Sequence, residues 1–146
     1  FIIIDKQRNP IYETLTEKVE RILKLWKEKT KDFEKIYNEG TKIIEEINKL
    51  RSRQKQLAFT DLEYSILLTM EKTLGIDKNL TQDTQDLTAQ LQPHMFKGWQ
   101  YQQTTRKTIE REIRKYLRKY IKQYSLTLTD LEQLYQKITE SVKTYG

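Results

Sequence analysis

Residues 106–124 read RKTIEREIRKYLRKYIKQY, and this stretch decides the fold class. At ~100° per residue, Ile109, Ile113, Tyr116, Leu117, Tyr120, Ile121 and Tyr124 share one arc of a helix, and Lys107, Arg111, Arg114, Lys115, Arg118, Lys119 and Lys122 share the opposite one. One face has to meet a core; the other projects positive charge. The spacing predicts a single helix from Arg106 to Tyr124. Eight cations against Glu110 and Glu112 give this segment +6, which is also the formal net charge of the whole 146-residue chain, so the remainder is electrically balanced.

Outward from this helix the pattern stays helical. Seventeen Leu and fifteen Ile stand against two Val, and no alternating run bounded by Gly or Pro reads as a strand. Counted with Gly and without Tyr, apolar residues make up about a third of the chain, against the ~45–50% usual for that set, so the core is lean. The expected architecture is all-α: a bundle of about five or six helices forming a single domain over 1–146, long enough to bury a modest core without staples. There is no Cys. That fits a reducing compartment, and no apolar run approaches a signal-peptide core or a membrane span, which together lead to the expectation of a cytoplasmic protein with no membrane partner.

The chain opens Phe1-Ile2-Ile3-Ile4-Asp5 without Met. Residues 1–9 read as a residual upstream linker, and the chain as a fragment of a longer polypeptide. Asn9-Pro10 is a helix-start signal, after which Leu15, Val19, Ile22 and Trp26 form one apolar seam. Phe33, Ile36, Ile43, Ile47 and Leu50 form a second, with Gly40 loosening its middle. A short Lys-rich turn between the two predicts an antiparallel N-terminal hairpin. Thr60-Asp61-Leu62-Glu63 has capping-box spacing and opens the helix expected to be the most buried. Residues 75–98, rich in Thr, Gln and Asp, read as a polar, mobile connector with room for one short amphipathic helix before Pro93. Thr129-Asp130-Leu131-Glu132 repeats the capping-box spacing and starts a last helix.

Catalytic and cofactor chemistry has little to draw on. His94 is the single histidine, in the polar connector, and a zinc site would need more than one such ligand. The four glycines are too scattered for a P-loop or a dinucleotide fingerprint. Carboxylates such as Glu45, Glu46, Glu110 and Glu112 lie on charged helix faces, where ion pairing is the ordinary expectation. The reading is a non-enzyme with no catalytic, cofactor or metal residues and no small-molecule substrate. For the basic face, with Arg111, Arg114, Lys115, Arg118, Lys119 and Lys122 as candidate contacts, three readings stay open: a solvated face, a sequence-independent contact with the duplex DNA backbone, and a contact with an acidic protein partner.

Three blocks in order carry a family resemblance: Asn9-Pro10-Ile11-Tyr12-Glu13-Thr14-Leu15, then Leu57-Ala58-Phe59-Thr60-Asp61-Leu62, then Trp99 followed by Arg106, Ile109, Ile113 and Leu117. From about Asn9 onward the chain resembles the C-terminal helical domain of the R subunit of type I restriction-modification enzymes. The pattern departs at Thr60, where an aromatic residue is expected, and in the unusually polar stretch 75–98. In that family the R subunit also carries a magnesium-dependent nuclease domain and two ATP-hydrolysing motor domains. The resemblance implies a non-catalytic assembly domain that docks the ATP-dependent translocase and endonuclease onto the methyltransferase (modification) core. ATP and Mg belong to the parent subunit, a type I site-specific deoxyribonuclease, and not to this fragment. Trp99, at the junction of connector and basic helix, is the candidate interface aromatic, with a residue that merely caps the core as the equal alternative.

Overall fold

The computed structural model describes residue 11 and residues 13–28 and 32–146. The linker expected over 1–9 and the Asn9-Pro10 start lie outside the described residues, as do residues 29–31 of the Lys-rich turn. Among the described residues the chain is helical with no strand. Its contacts fall into two compact units that divide between Phe59 and Thr60, a boundary for which the sequence offers only the capping box.

The first unit is the helical hairpin. Helix α1 (Glu13–Trp26) and helix α2 (Phe33–Leu57) pack together, and their ion pairs show the antiparallel sense: Lys18 meets Glu46, and Arg21 meets Glu39 at 3.2 Å. Asp32 caps α2 by accepting the Lys35 N–H at 3.0 Å. The helix runs unbroken through Gly40 and ends where Ala58 turns left-handed (φ 55°). There the Ala58 and Phe59 N–H groups close onto the Gln54 carbonyl, satisfying carbonyls that the helix end would otherwise leave open. The two seams are unevenly covered. Leu15 and Ile43 are buried, whereas Trp26 and Phe33, last and first on their seams, are 52% and 63% exposed and meet edge-on at 6.1 Å.

The second unit holds a dense core. Helices α3 (Asp61–Leu74), α4 (Asn79–Leu91), α5 (Gln103–Leu117) and α7 (Leu128–Tyr145) close a ring of contacts: α3 against α4 and α7, and α5 against α4 and α7. Each of the four contributes its apolar stripe to one interior, which is how helices with a single apolar face satisfy one another. Thr60 caps α3 with the reciprocal bonds of a capping box: its hydroxyl accepts the Glu63 N–H at 3.2 Å, and the Glu63 carboxylate accepts the Thr60 N–H at 3.0 Å. Tyr64, Ser65, Ile66 and Leu67 follow as four consecutive buried residues, and α3 buries more of its residues than any other described helix, as expected. Its one small polar intruder is matched, because Ser65 and Ser141 of α7 bond hydroxyl to hydroxyl at 2.7 Å.

Three features differ from the sequence reading. The stretch 75–98 contains α4, whose Leu80, Leu87 and Leu91 are fully buried, so it forms one wall of the bundle instead of a link beside it. Its seam is completed by Thr84 and Thr88, residues that count as polar. Thr88 returns its hydroxyl to the Thr84 carbonyl at 2.8 Å, and Thr84 directs its own to the Met70 sulfur at 3.6 Å, which makes both tolerable inside. The basic helix is two: α5 stops at Leu117, and the five-residue α6 (Lys119–Gln123) follows, with Arg118 between them in helical dihedrals and Ile121 N–H reaching back only to the Arg118 carbonyl. Finally, α7 is capped by Thr127, whose hydroxyl accepts the Asp130 N–H at 3.1 Å, two residues before the predicted Thr129. Glu132, the expected box partner, is held elsewhere by Arg114.

Candidate interaction surface on the basic helices

The apolar arc of α5 and α6 sits where its periodicity puts it. Ile109, Ile113, Leu117 and Tyr120 are at most 1% exposed, and Tyr116, Ile121 and Tyr124 are half-buried. The tyrosines thus belong to the core and its margin, not to a stacking surface. Two of them anchor the start and middle of α4. Tyr120 donates its hydroxyl to Asp83 at 2.8 Å, and Tyr124 donates to Asp77 at 2.8 Å. Asp77 also accepts the Asn79 N–H at 2.9 Å and so closes the first turn of α4. That backbone bond, with the Tyr124 hydroxyl beside it, holds the Asp77 carboxyl below its ordinary range. Burial, reinforced by the neighbouring carboxylates, pushes Tyr124 up to about 12 and Tyr120 further in the same direction.

All six candidate contact cations, Arg111, Arg114, Lys115, Arg118, Lys119 and Lys122, are exposed, but they are not equivalent. Arg114 forms a two-pronged bond with Glu132 of α7, at 2.8 and 3.0 Å, and its guanidinium lies 3.7 Å from the centre of the Tyr135 ring. The pairing raises the Arg114 pKa and lowers that of Glu132. Lys119 reaches the other way, to Asp83 of α4 at 3.2 Å, with its ammonium 4.0 Å from the centre of the Tyr116 ring. Burial alone would lower the Lys119 pKa, but Tyr116 and Asp83 outweigh it and the net shift is upward. Asp83 therefore serves two donors, one on each oxygen. On a helical wheel Arg114 and Lys119 flank the apolar arc on its two sides, so they tie the shoulders of the helix to its neighbours.

Between those shoulders lie Lys107, Arg111, Lys115, Arg118 and Lys122. Arg111 makes a 3.5 Å contact with the Thr108 hydroxyl, and the other four form no side-chain bond or ion pair among the described residues. Glu110 and Glu112 fall outside this row, and Glu110 faces Lys143 of α7 at 4.0 Å.

Trp99 is not a surface aromatic. Gly98 takes a left-handed conformation (φ 84°) and the chain enters a 3-10 turn, Trp99–Tyr101, that leaves the indole 3% exposed and its N–H without a partner among the described residues. Of the two readings of Trp99, its burial matches the core-capping one, and Tyr101, two residues on, is the exposed ring at 92%. His94 is half-buried in a second 3-10 turn, Gln92–His94. Among the described residues no three His, Asp or Glu side chains are grouped to hold a metal ion, and no helix is long and apolar enough to cross a membrane. An open cleft of about 600 Å³ lies beside the start of α3, lined by Thr60, Glu63, Gln85, Thr88, Gln92 and Tyr145 among others. Glu63 there is already engaged by the cap of α3.

Comparison of the chain with family models, with curated proteins and with solved structures finds no match.

Proposed function

We propose that this chain is a non-catalytic assembly domain, the C-terminal helical domain of a type I restriction enzyme R subunit, which docks the DNA translocase and endonuclease onto its methyltransferase core. The support is positional. The block Leu57–Leu62 occupies the junction between the two units, where Ala58 ends α2, Phe59 is buried, Thr60 caps α3 and Leu62 enters the core. Trp99, Ile109, Ile113 and Leu117 are all core residues of the second unit. Most of the first block lies outside the described residues, so the support rests on the second and third blocks, where Phe59, Leu62, Trp99, Ile109, Ile113 and Leu117 are buried and Thr60 caps α3. In this reading ATP and Mg act in other domains of the parent subunit, and the methyltransferase subunit is the partner. Docking would draw on exposed apolar side chains, which supply most of the favourable free energy at protein interfaces, while charge sets encounter rate and orientation.

The test is removal of this segment from the full polypeptide. The truncated subunit is expected to keep DNA-stimulated ATP hydrolysis and to lose co-purification with the methyltransferase core. Retention of the complex at undiminished affinity would refute the proposal.

A further inference from the structure

The basic face of α5 and α6 divides into cations committed to the fold and cations that are not, and the second group forms a row. Because Arg118 keeps helical dihedrals between α5 and α6, the two can be read on one wheel: taking Lys107 as zero, Arg111, Lys115, Arg118 and Lys122 fall at ~40°, 80°, 20° and 60°, an arc of about 80°. Fifteen residues at ~1.5 Å each make the row about 22 Å long. Arg114 and Lys119 fall outside the arc on opposite sides, each neutralised by a carboxylate of a neighbouring helix. From the row's geometry and its lack of acidic neighbours we infer that Lys107, Arg111, Lys115, Arg118 and Lys122 form a contact surface for the phosphate backbone of a nucleic-acid duplex, blind to its sequence. This inference is independent of the assembly proposal.

Three observations favour a duplex over an acidic protein. The row contains no carboxylate: Glu110 and Glu112 are both turned off it, and Glu110 faces Lys143. It contains no exposed apolar or aromatic side chain, because every tyrosine of α5 and α6 is turned towards the core, whereas protein interfaces depend on such anchors at their centres. The row is also elongated. A duplex carries a charge every ~1.7 Å of its length, so a row of about 22 Å spans enough of it to meet several phosphates, and interfaces of this kind are polar and strongly positive. The row carries no Asn, Gln or aromatic side chain to read a base edge or stack on it, and its cations are suited to phosphate contact, which positions a duplex without specifying its sequence.

The two committed cations make the inference specific. A phosphate approaching Arg114 or Lys119 would have to displace Glu132 or Asp83, so these residues should contribute little to binding although they are as basic as the rest. The experiment measures affinity of the protein for a duplex of arbitrary sequence, by fluorescence anisotropy, across a range of salt concentrations. Five phosphate contacts predict a log-log salt slope of about −4.5, and the K115A/R118A/K122A variant should reduce it to about −1.8, a loss of about 0.9 per cation removed. In contrast, the R114A/K119A variant should leave the slope near its starting value while lowering thermal stability. Scrambling the duplex sequence should leave all of these values unchanged. Helix content of each variant, followed by circular dichroism, confirms that the fold is intact. The K107A/R111A variant gives a second reading should the triple variant fail to fold. An unchanged slope in a folded row variant, or equal losses from the row and the shoulder variants, would overturn the inference. So would row variants that bind duplex normally but fail to bind the methyltransferase core, which would reassign the row to a protein contact.

Discussion

The hairpin and the bundle are built from helices of similar composition, yet they solve the burial problem differently. Among the described residues of the bundle, sixteen apolar side chains are buried, from Leu62 to Val142, while the hairpin has four: Ile11, Leu15, Ile43 and Phe59. The bundle closes because four helices each present one stripe to a shared interior. In the hairpin each stripe has one facing helix, and Leu23, Trp26, Phe33, Tyr37 and Ile44 are left exposed. A two-helix unit cannot surround its own apolar surface, so its stability has to lean more on helix propensity, caps and ion pairs such as Arg21–Glu39.

The comparison is tested most severely by cutting into each unit. Leu87, fully buried on α4, should cost about 2–5 kcal/mol when changed to Ala, whereas Ile44, 59% exposed on α2, should change stability by no more than about 0.5 kcal/mol. Urea unfolding followed by circular dichroism measures both. Similar losses at the two sites would mean that the hairpin buries far more than its exposed side chains indicate.

A smaller effect of opposite sign is expected at Gly40. Helix α2 passes through it, and a methyl group added there would meet nothing within 4 Å, so Gly40→Ala should stabilise by about 0.5–1 kcal/mol. Thermal unfolding measures it. A loss of stability instead would mean that the hairpin needs the glycine for a close approach.

The smallest effect is a pH dependence in the bundle. Tyr124 and Tyr120 are raised above the ordinary 10.0, so the folded state holds their protons more tightly than the unfolded chain does. Both contributions are complete below pH 10; that of Tyr124 is lost as pH rises from about 10 to about 12, and that of Tyr120 goes on falling beyond this window. Asp77 and Glu132 are lowered, so their contribution is present above the ordinary carboxylate range and fades as pH falls through it. Stability measured against pH should therefore decline on both sides, and Tyr124→Phe should flatten the alkaline limb. A limb unchanged in that variant would remove Tyr124 from the account.

How far the sequence disclosed this structure depended on how local each determinant is. The hairpin, the buried α3 and the apolar arc of the basic helix follow from spacing within single segments. Helix α4 was underrated because Thr84 and Thr88 fill its seam, and their fitness for the interior depends on the Met70 sulfur and a carbonyl one turn back. The division of the basic face was invisible for a related reason. Glu132 is 18 residues from Arg114, and Asp83 lies on a different helix from Lys119, and no periodicity in the sequence links such partners. For Trp99 the sequence leaves core and interface open, since a residue at a junction carries no periodicity; the structure buries it just after the left-handed Gly98.

The proposed docking role is tested most directly by mixing this chain with the methyltransferase and specificity core and following both through size-exclusion chromatography. The account predicts co-elution of the chain with the core, at physiological salt and without DNA or ATP, with the chain's helix content intact. Separate elution of the two folded components at micromolar concentration would contradict it.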